Sequence, residues 1–283
     1  MADFSRITVF LTDNGSLRPS STLALRRIAE KLAPWARREF GVTLEPASLL
    51  HSSRIPAEDL GGEKAEIVYQ RIKRLYREEG RRRFIVLPLF IGPSRALTEY
   101  LPAKREEWKG RFPGLDLRIG PPLYREGDPR MTEILAELIQ PFLRDKEDRP
   151  LVALTDHGSP EPKVTEVRNQ LALELGRKLG NSVEKVAPAS MERREGKEYG
   201  FSDPLLANLL NQPGWTRGRL VVSMLFLLPG RHAGEGGDVV EIIENSQKRH
   251  PGRVVEITPL LGESPRLVEV LRDRLVEVLS DLA

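Results

Sequence analysis

From residue 151 onward the chain alternates between two kinds of hydrophobic pattern. Residues 151–155 form a short, nearly continuous apolar run, after which Val164, Val167, Leu171, Leu175 and Leu179 recur three or four positions apart. The first pattern predicts a buried strand and the second the apolar stripe of a helix. The alternation continues with strands over 183–187, 219–227 and 253–258 and helices over 204–210, 239–248 and 265–282. In the last of these Leu267, Val270, Leu271, Leu275 and Val278 make the stripe. The first half follows the same plan, with strands predicted at 7–12, 43–46, 84–90 and 116–119. Strands that alternate with helices imply a parallel sheet covered on both faces, because each crossover must return the chain to the same end.

The two halves are copies of one another. Leu11-Thr12-Asp13-Asn14-Gly15-Ser16 recurs as Leu154-Thr155-Asp156-His157-Gly158-Ser159, an offset of 156 − 13 = 143. Pro46-Ala47-Ser48 matches Pro188-Ala189-Ser190, Leu89-Phe90 matches Leu225-Phe226, and Pro129-Arg130-Met131-Thr132-Glu133 matches Pro265-Arg266-Leu267-Val268-Glu269. Four collinear matches define a tandem duplication. The domains are therefore expected at 1–145 and 150–283, separated by the charged stretch Asp145-Lys146-Glu147-Asp148-Arg149-Pro150.

Composition narrows the function. The 283 residues are 40% hydrophobic and 30% charged, and the longest apolar run, 220–228, is far short of the roughly 20 residues that span a bilayer. No apolar segment precedes the first strand, so a soluble, cytoplasmic protein is expected, with no membrane partner. There is no cysteine, which excludes disulfides, thiolate zinc sites and thiol catalysis together. Lys and Arg number 44 against 41 Asp and Glu, a net charge of +3. That is too mild for a nucleic-acid partner.

In open parallel sheets ligands bind beyond the carboxyl ends of the strands, where strand order reverses. A flavodoxin-like order 2-1-3-4 puts that point between the first and third strands of each copy. In the second copy His157 follows the first strand, Glu192 the second and His232 the third. The first copy has Asn14, Leu50 and Ala96 at the same places. Taken singly, a histidine after a strand is a loop or cap residue. Three positions changed together inside a preserved frame point instead to a site kept in one copy and shed in the other. Two imidazoles and a carboxylate can hold a divalent first-row metal, and neutral imidazoles can also accept protons. Such a site should fail in acid, since protonated imidazoles do neither.

The remaining candidates carry less. Ser159 lacks the Gly-x-Ser-x-Gly frame of a nucleophile and reads as a turn or cap residue. The run Gly230-Arg231-His232-Ala233-Gly234-Glu235-Gly236-Gly237 lacks the spacing of a dinucleotide loop. Arg193 and Arg194 adjoin Glu192 and are placed to meet substrate carboxylates. His51 and His250 have no partner pattern and read as structural.

At these residues the sequence resembles the sirohydrochlorin chelatases of the CbiX/SirB type, in a long tandem form with a degenerate first half. The resemblance rests on His157-Gly158-Ser159, on Leu225-Phe226-Leu227-Leu228-Pro229-Gly230-Arg231-His232, and on Thr258-Pro259-Leu260-Leu261-Gly262 followed by Pro265-Arg266-Leu267. In two places the chain departs from the family pattern. Asp156 stands where glycine is usual, and the segment 193–201 is long and charged. The resemblance implies two chelatase-like α/β domains and insertion of Co²⁺, Fe²⁺ or Ni²⁺ into an acidic tetrapyrrole of cobalamin or siroheme biosynthesis. The metal would be a substrate and no prosthetic group is expected. His157, His232 and Glu192 would be metal ligands and catalytic groups, and Ser159, Arg193, Arg194 and Arg231 would contact substrate. The two halves would take the place of a dimer within a monomer. A non-catalytic metal or tetrapyrrole carrier on the same fold is the alternative.

Overall fold

The computed structural model describes residues 4–144, 148–234 and 236–282, so the centre of the charged stretch between the copies and Glu235 of the glycine-rich run lie outside the described residues. Each copy forms a four-stranded parallel sheet. In the first copy β1 (Ile7–Thr12) is followed by α1 (Pro19–Phe40), β2 (Thr43–Pro46), α2 (Val68–Glu78), β3 (Arg83–Pro88), α3 (Leu101–Arg111), β4 (Asp116–Ile119) and α4 (Arg130–Ile139). The second continues with β5 (Leu151–Asp156), α5 (Pro162–Leu179), β6 (Lys185–Ser190), α6 (Leu206–Leu209), β7 (Arg219–Met224), α7 (Asp238–Arg249), β8 (Val254–Ile257) and α8 (Leu267–Ser280).

Strand order is β2-β1-β3-β4 in one sheet and β6-β5-β7-β8 in the other, the 2-1-3-4 arrangement in both. The central strands explain the long apolar runs, because covering both faces of a parallel sheet buries every residue of β1 and β5. Helix starts are set locally. Pro19 and Pro162 open α1 and α5 at positions where a missing backbone N–H costs nothing. Gly41 ends α1 in the left-handed region, at φ 71°.

Several boundaries differ from the sequence pattern, four of them instructively. The strand expected at 183–187 is Lys185–Ser190, because β6 lies at a sheet edge where Pro188 leaves no ladder bond unmade. The strand expected at 219–227 stops at Met224, past which the neighbouring strands end. The one expected at 84–90 is Arg83–Pro88. The helix expected at 204–210 shrinks to Leu206–Leu209, since Leu205 bridges Ser190 in parallel and the Pro204 carbonyl accepts from the Ser190 amide.

The packing units do not coincide with the repeats. One unit is the chain up to Leu123 together with the segment from Val268 onward, and the other is Tyr124–Leu267. Each sheet is thus packed with the terminal helix of the other repeat. In the first unit Arg274 of α8 donates to the Leu123 carbonyl at 2.7 Å, and Arg272 lies over the Trp35 ring of α1. In the second, Thr132 of α4 donates to Glu174 of α5 at 2.6 Å. Sequence matching finds copies; burial decides which pieces share a core.

Candidate functional site

The ends of β5 and β6 are tied by backbone. Asp156 and Ser190 are register partners and the last residues of their strands. Beyond them the Met191 amide donates to the Asp156 carbonyl at 2.7 Å and the Glu192 amide to the His157 carbonyl at 3.2 Å. Gly158 makes this approach possible. Its φ is +94°, and a Cβ there would lie 1.9 Å from the Glu192 carbonyl oxygen. Two side chains the sequence separates by 35 positions, 192 − 157, thereby share one edge.

His157, Glu192 and His232 do come together. The His157 and His232 rings lie 4.5 Å apart between centroids, edge to face. His157 Nε2 is 3.4 Å from Glu192 Oε1. The His157 Nδ1 lies 2.9 Å from the Gly158 carbonyl oxygen, which can only accept, so Nδ1 carries the proton and the neutral ring keeps its lone pair at Nε2. That lone pair faces a carboxylate oxygen, an arrangement that suits a cation or a proton between them.

His232 is oriented the same way by a residue the sequence reading missed. Asp238, the first residue of α7, receives the His232 Nδ1 proton at 2.6 Å and leaves Nε2 free. Gly237 lets the helix start pack against the His232 backbone, where the Val239 amide donates to the His232 carbonyl at 3.3 Å. The available signal was an acidic residue opening a helix a few positions after a candidate histidine. The site is open: the side chains of His157, Glu192, His232 and Asp238 are 46%, 58%, 30% and 36% exposed. Among the described residues no three His, Asp or Glu side chains already converge as a metal-holding group.

Beneath the pair lies a buried polar layer. Asp156 Oδ1 accepts from Ser190 Oγ at 2.7 Å and stands 3.6 Å from Arg168 of α5, whose side chain is wholly buried. Burial pushes the Asp156 carboxyl above its ordinary value, against the pull of Arg168, the Ser190 hydrogen bond and His157. Burial also lowers Arg168, which stays protonated because its intrinsic value is so high.

The other predicted residues divide. Ser159 Oγ accepts from the Glu161 amide at 3.0 Å and so shapes the entry to α5. Arg193 donates to Asp203 and to the carbonyls of Arg194 and Gly196, which folds the long segment onto itself. Arg194 is exposed, 5.9 Å over the Tyr199 ring. Arg231 is exposed, with Nε 3.8 Å from Asp238. His250 ends α7 and bonds Asn211 at 2.9 Å, away from this site. His51 sits in the first unit at φ +66°.

A tandem pair of such sheets defines a chelatase-like α/β fold. Solved structures share the fold. SirB from Bacillus subtilis, solved with Fe³⁺, superposes with a TM-score of 0.66 at 14% identity over 97% of this chain and 96% of that one. CbiX, described as the terminal enzyme for biosynthesis of siroheme in denitrifying bacteria, gives 0.58 at 14% over 96% and 98%. A multi-domain protein from Deinococcus radiodurans with structural similarity to chelatases gives 0.57 at 15% over 95% of this chain and 54% of its own. No curated protein matches the sequence. The family model CbiX matches residues 151–278, within the second copy.

Proposed function

We propose that the second copy inserts a divalent metal into sirohydrochlorin or a closely related acidic tetrapyrrole, with Co²⁺ or Fe²⁺ as the metal and Ni²⁺ as a third candidate, in the synthesis of cobalamin or siroheme. The observation that carries this reading is the pair of histidines with both Nδ1 positions occupied and both Nε2 positions free, one of them facing Glu192. Insertion must strip water from the metal and take two pyrrole protons, so it needs ligands that also accept protons and release the ion. His157 and His232 serve as ligands and proton acceptors, and Glu192 as third ligand or relay. Asp238 fixes the His232 ring, as partners of metal-binding imidazoles do. Arg231 and Arg194, exposed beside them, suit carboxylates on the substrate. The CbiX match over 151–278 supports the same reading.

The test is direct. Protein mixed with sirohydrochlorin and Co²⁺ or Fe²⁺ should change the tetrapyrrole absorbance faster than metal alone. No excess rate with any of the three metals ends the chelatase reading and leaves the carrier. In isolation the site should follow the general divalent order and bind Ni²⁺ and Co²⁺ above Fe²⁺. The chain should be active as a monomer. An obligate dimer by light scattering would contradict that.

A further inference from the structure

The two copies differ at a fourth place that the loop residues do not reveal. At the same offset of 143, Arg168 of α5 corresponds to Leu25 of α1, and both side chains are buried. The first copy keeps Asp13 and Ser48 in the places of Asp156 and Ser190 but has no guanidinium among them. There Asp13 Oδ1 has no hydrogen-bond partner.

Arg168 reaches three segments at once. Its Nη1 donates to Ser190 Oγ at the end of β6 and to the Ser202 carbonyl at 2.9 Å, and lies 3.6 Å from Asp156 Oδ1 at the end of β5. Its Nε and Nη2 are fixed by Asn169 Oδ1 at 3.0 and 2.8 Å. Ser202 in turn donates to the Ser159 carbonyl at 3.3 Å. The residues held are the one before His157, the one two before Glu192, and the return of the charged segment that starts after Glu192. Guanidinium is suited to this because its donors are fixed in a plane and can serve several acceptors in one geometry.

We propose that Arg168 is a positioning residue for the His157–Glu192 pair, holding the two strand ends and the returning segment in the register that sets the separation of Nε2 and the carboxylate. It touches neither metal nor substrate. The proposal rests on the chelatase reading above. It explains why the copy without the pair carries leucine on an otherwise preserved frame, and the first unit demonstrates that this frame folds with leucine there.

The experiment compares Arg168→Leu, Arg168→Lys and the charge-neutral double variant Asp156→Asn/Arg168→Leu with the full-length wild type, each first shown folded by circular dichroism. Two quantities are read: Co²⁺ affinity with its visible d–d spectrum, and kcat and KM for sirohydrochlorin. Arg168→Leu should weaken Co²⁺ binding by about 10- to 100-fold, as loss of a ligand-orienting contact does, alter the d–d spectrum, and lower kcat with little change in KM. Arg168→Lys should recover part of both. If Arg168→Leu does not fold, the double variant, which leaves no unpaired buried charge, is read in its place. A folded variant with wild-type Co²⁺ affinity, spectrum and kcat overturns the proposal, whatever its melting temperature. Wild type that neither binds Co²⁺ nor inserts it overturns the chelatase reading, and with it the pair that Arg168 would position.

Discussion

The two strand ends at Asp13 and Asp156 are one backbone carrying two sets of side chains. In the first copy the Leu49 amide donates to the Asp13 carbonyl at 2.9 Å and the Leu50 amide to the Asn14 carbonyl at 3.2 Å, matching bond for bond the pairs at Asp156 and His157. Gly15, at φ +90°, would carry a Cβ 1.8 Å from the Leu50 oxygen, just as Gly158 would beside Glu192. The serine under each aspartate is kept. What changes is the side chain at positions that face out, Asn14, Leu50 and Ala96 against His157, Glu192 and His232, and at one that faces in, Leu25 against Arg168. The glycines belong to the frame, and the exchanged residues are those to which we assign the chemistry.

The largest effect should fall on the outward set. His157→Ala and His232→Ala are each expected to lower metal insertion by at least about 100-fold, the usual worth of a positioned acid–base group, without unfolding the chain. Asn14→Ala and Ala96→Gly should leave it within about twofold. Insertion rates for the four variants measured side by side decide this, and equal losses in both copies would erase the distinction.

Glycine should behave alike in the two copies. Gly15→Ala and Gly158→Ala each force a Cβ into a carbonyl at positive φ, and each should cost about 2 kcal/mol or more in urea unfolding. A tolerated alanine at either position would mean the two frames are not equivalent.

The aspartates should respond with opposite signs. Burial holds Asp13 above the usual carboxylate range, with only Ser48 and backbone amides opposing it. Its folded state therefore binds the proton more tightly than the unfolded chain. The stability this gives is complete below the ordinary carboxylate value of about 4 and is lost as pH rises through the higher folded value. Asp13→Asn should accordingly stabilise the protein at pH 7, an advantage that shrinks in acid. Burial holds Asp156 high as well, but Asp156→Asn leaves the Arg168 guanidinium buried without its carboxylate, and that loss should dominate and cost about 3 kcal/mol. Thermal melts of both variants at neutral pH test the contrast.

The smallest effect belongs to Asp238. Asp238→Asn keeps the shape but weakens the bond that orients His232, and Co²⁺ affinity should drop by about tenfold. An unchanged affinity in calorimetric titration would remove Asp238 from the site.

The sequence made the fold legible because parallel strands buried on both faces leave unbroken apolar runs, and because the repeat exposed the frame twice. It also located His157, Glu192 and His232, since strand ends are where such sheets bind. Three things escaped it. Asp238 looks like any acidic residue opening a helix. Arg168 was hidden because the stripe counted for α5 began with Val164 and Val167, whereas the buried face runs through Thr165 and Arg168. The helix exchange was invisible because periodicity says that a helix has an apolar face and nothing about which sheet that face meets.

That exchange fixes an order of events during synthesis. The first sheet is complete in sequence once β4 has left the ribosome, yet α8, the helix sharing its packing unit, follows the whole second sheet. Until then the apolar face that will meet α8 has no partner, and the unit cannot close as a nascent chain grows past it. The turns carrying Leu271, Leu275 and Val278, all buried, act as a latch that shuts only after the second sheet has been made. A chain cut short before them would leave the first unit without the helix that packs in it.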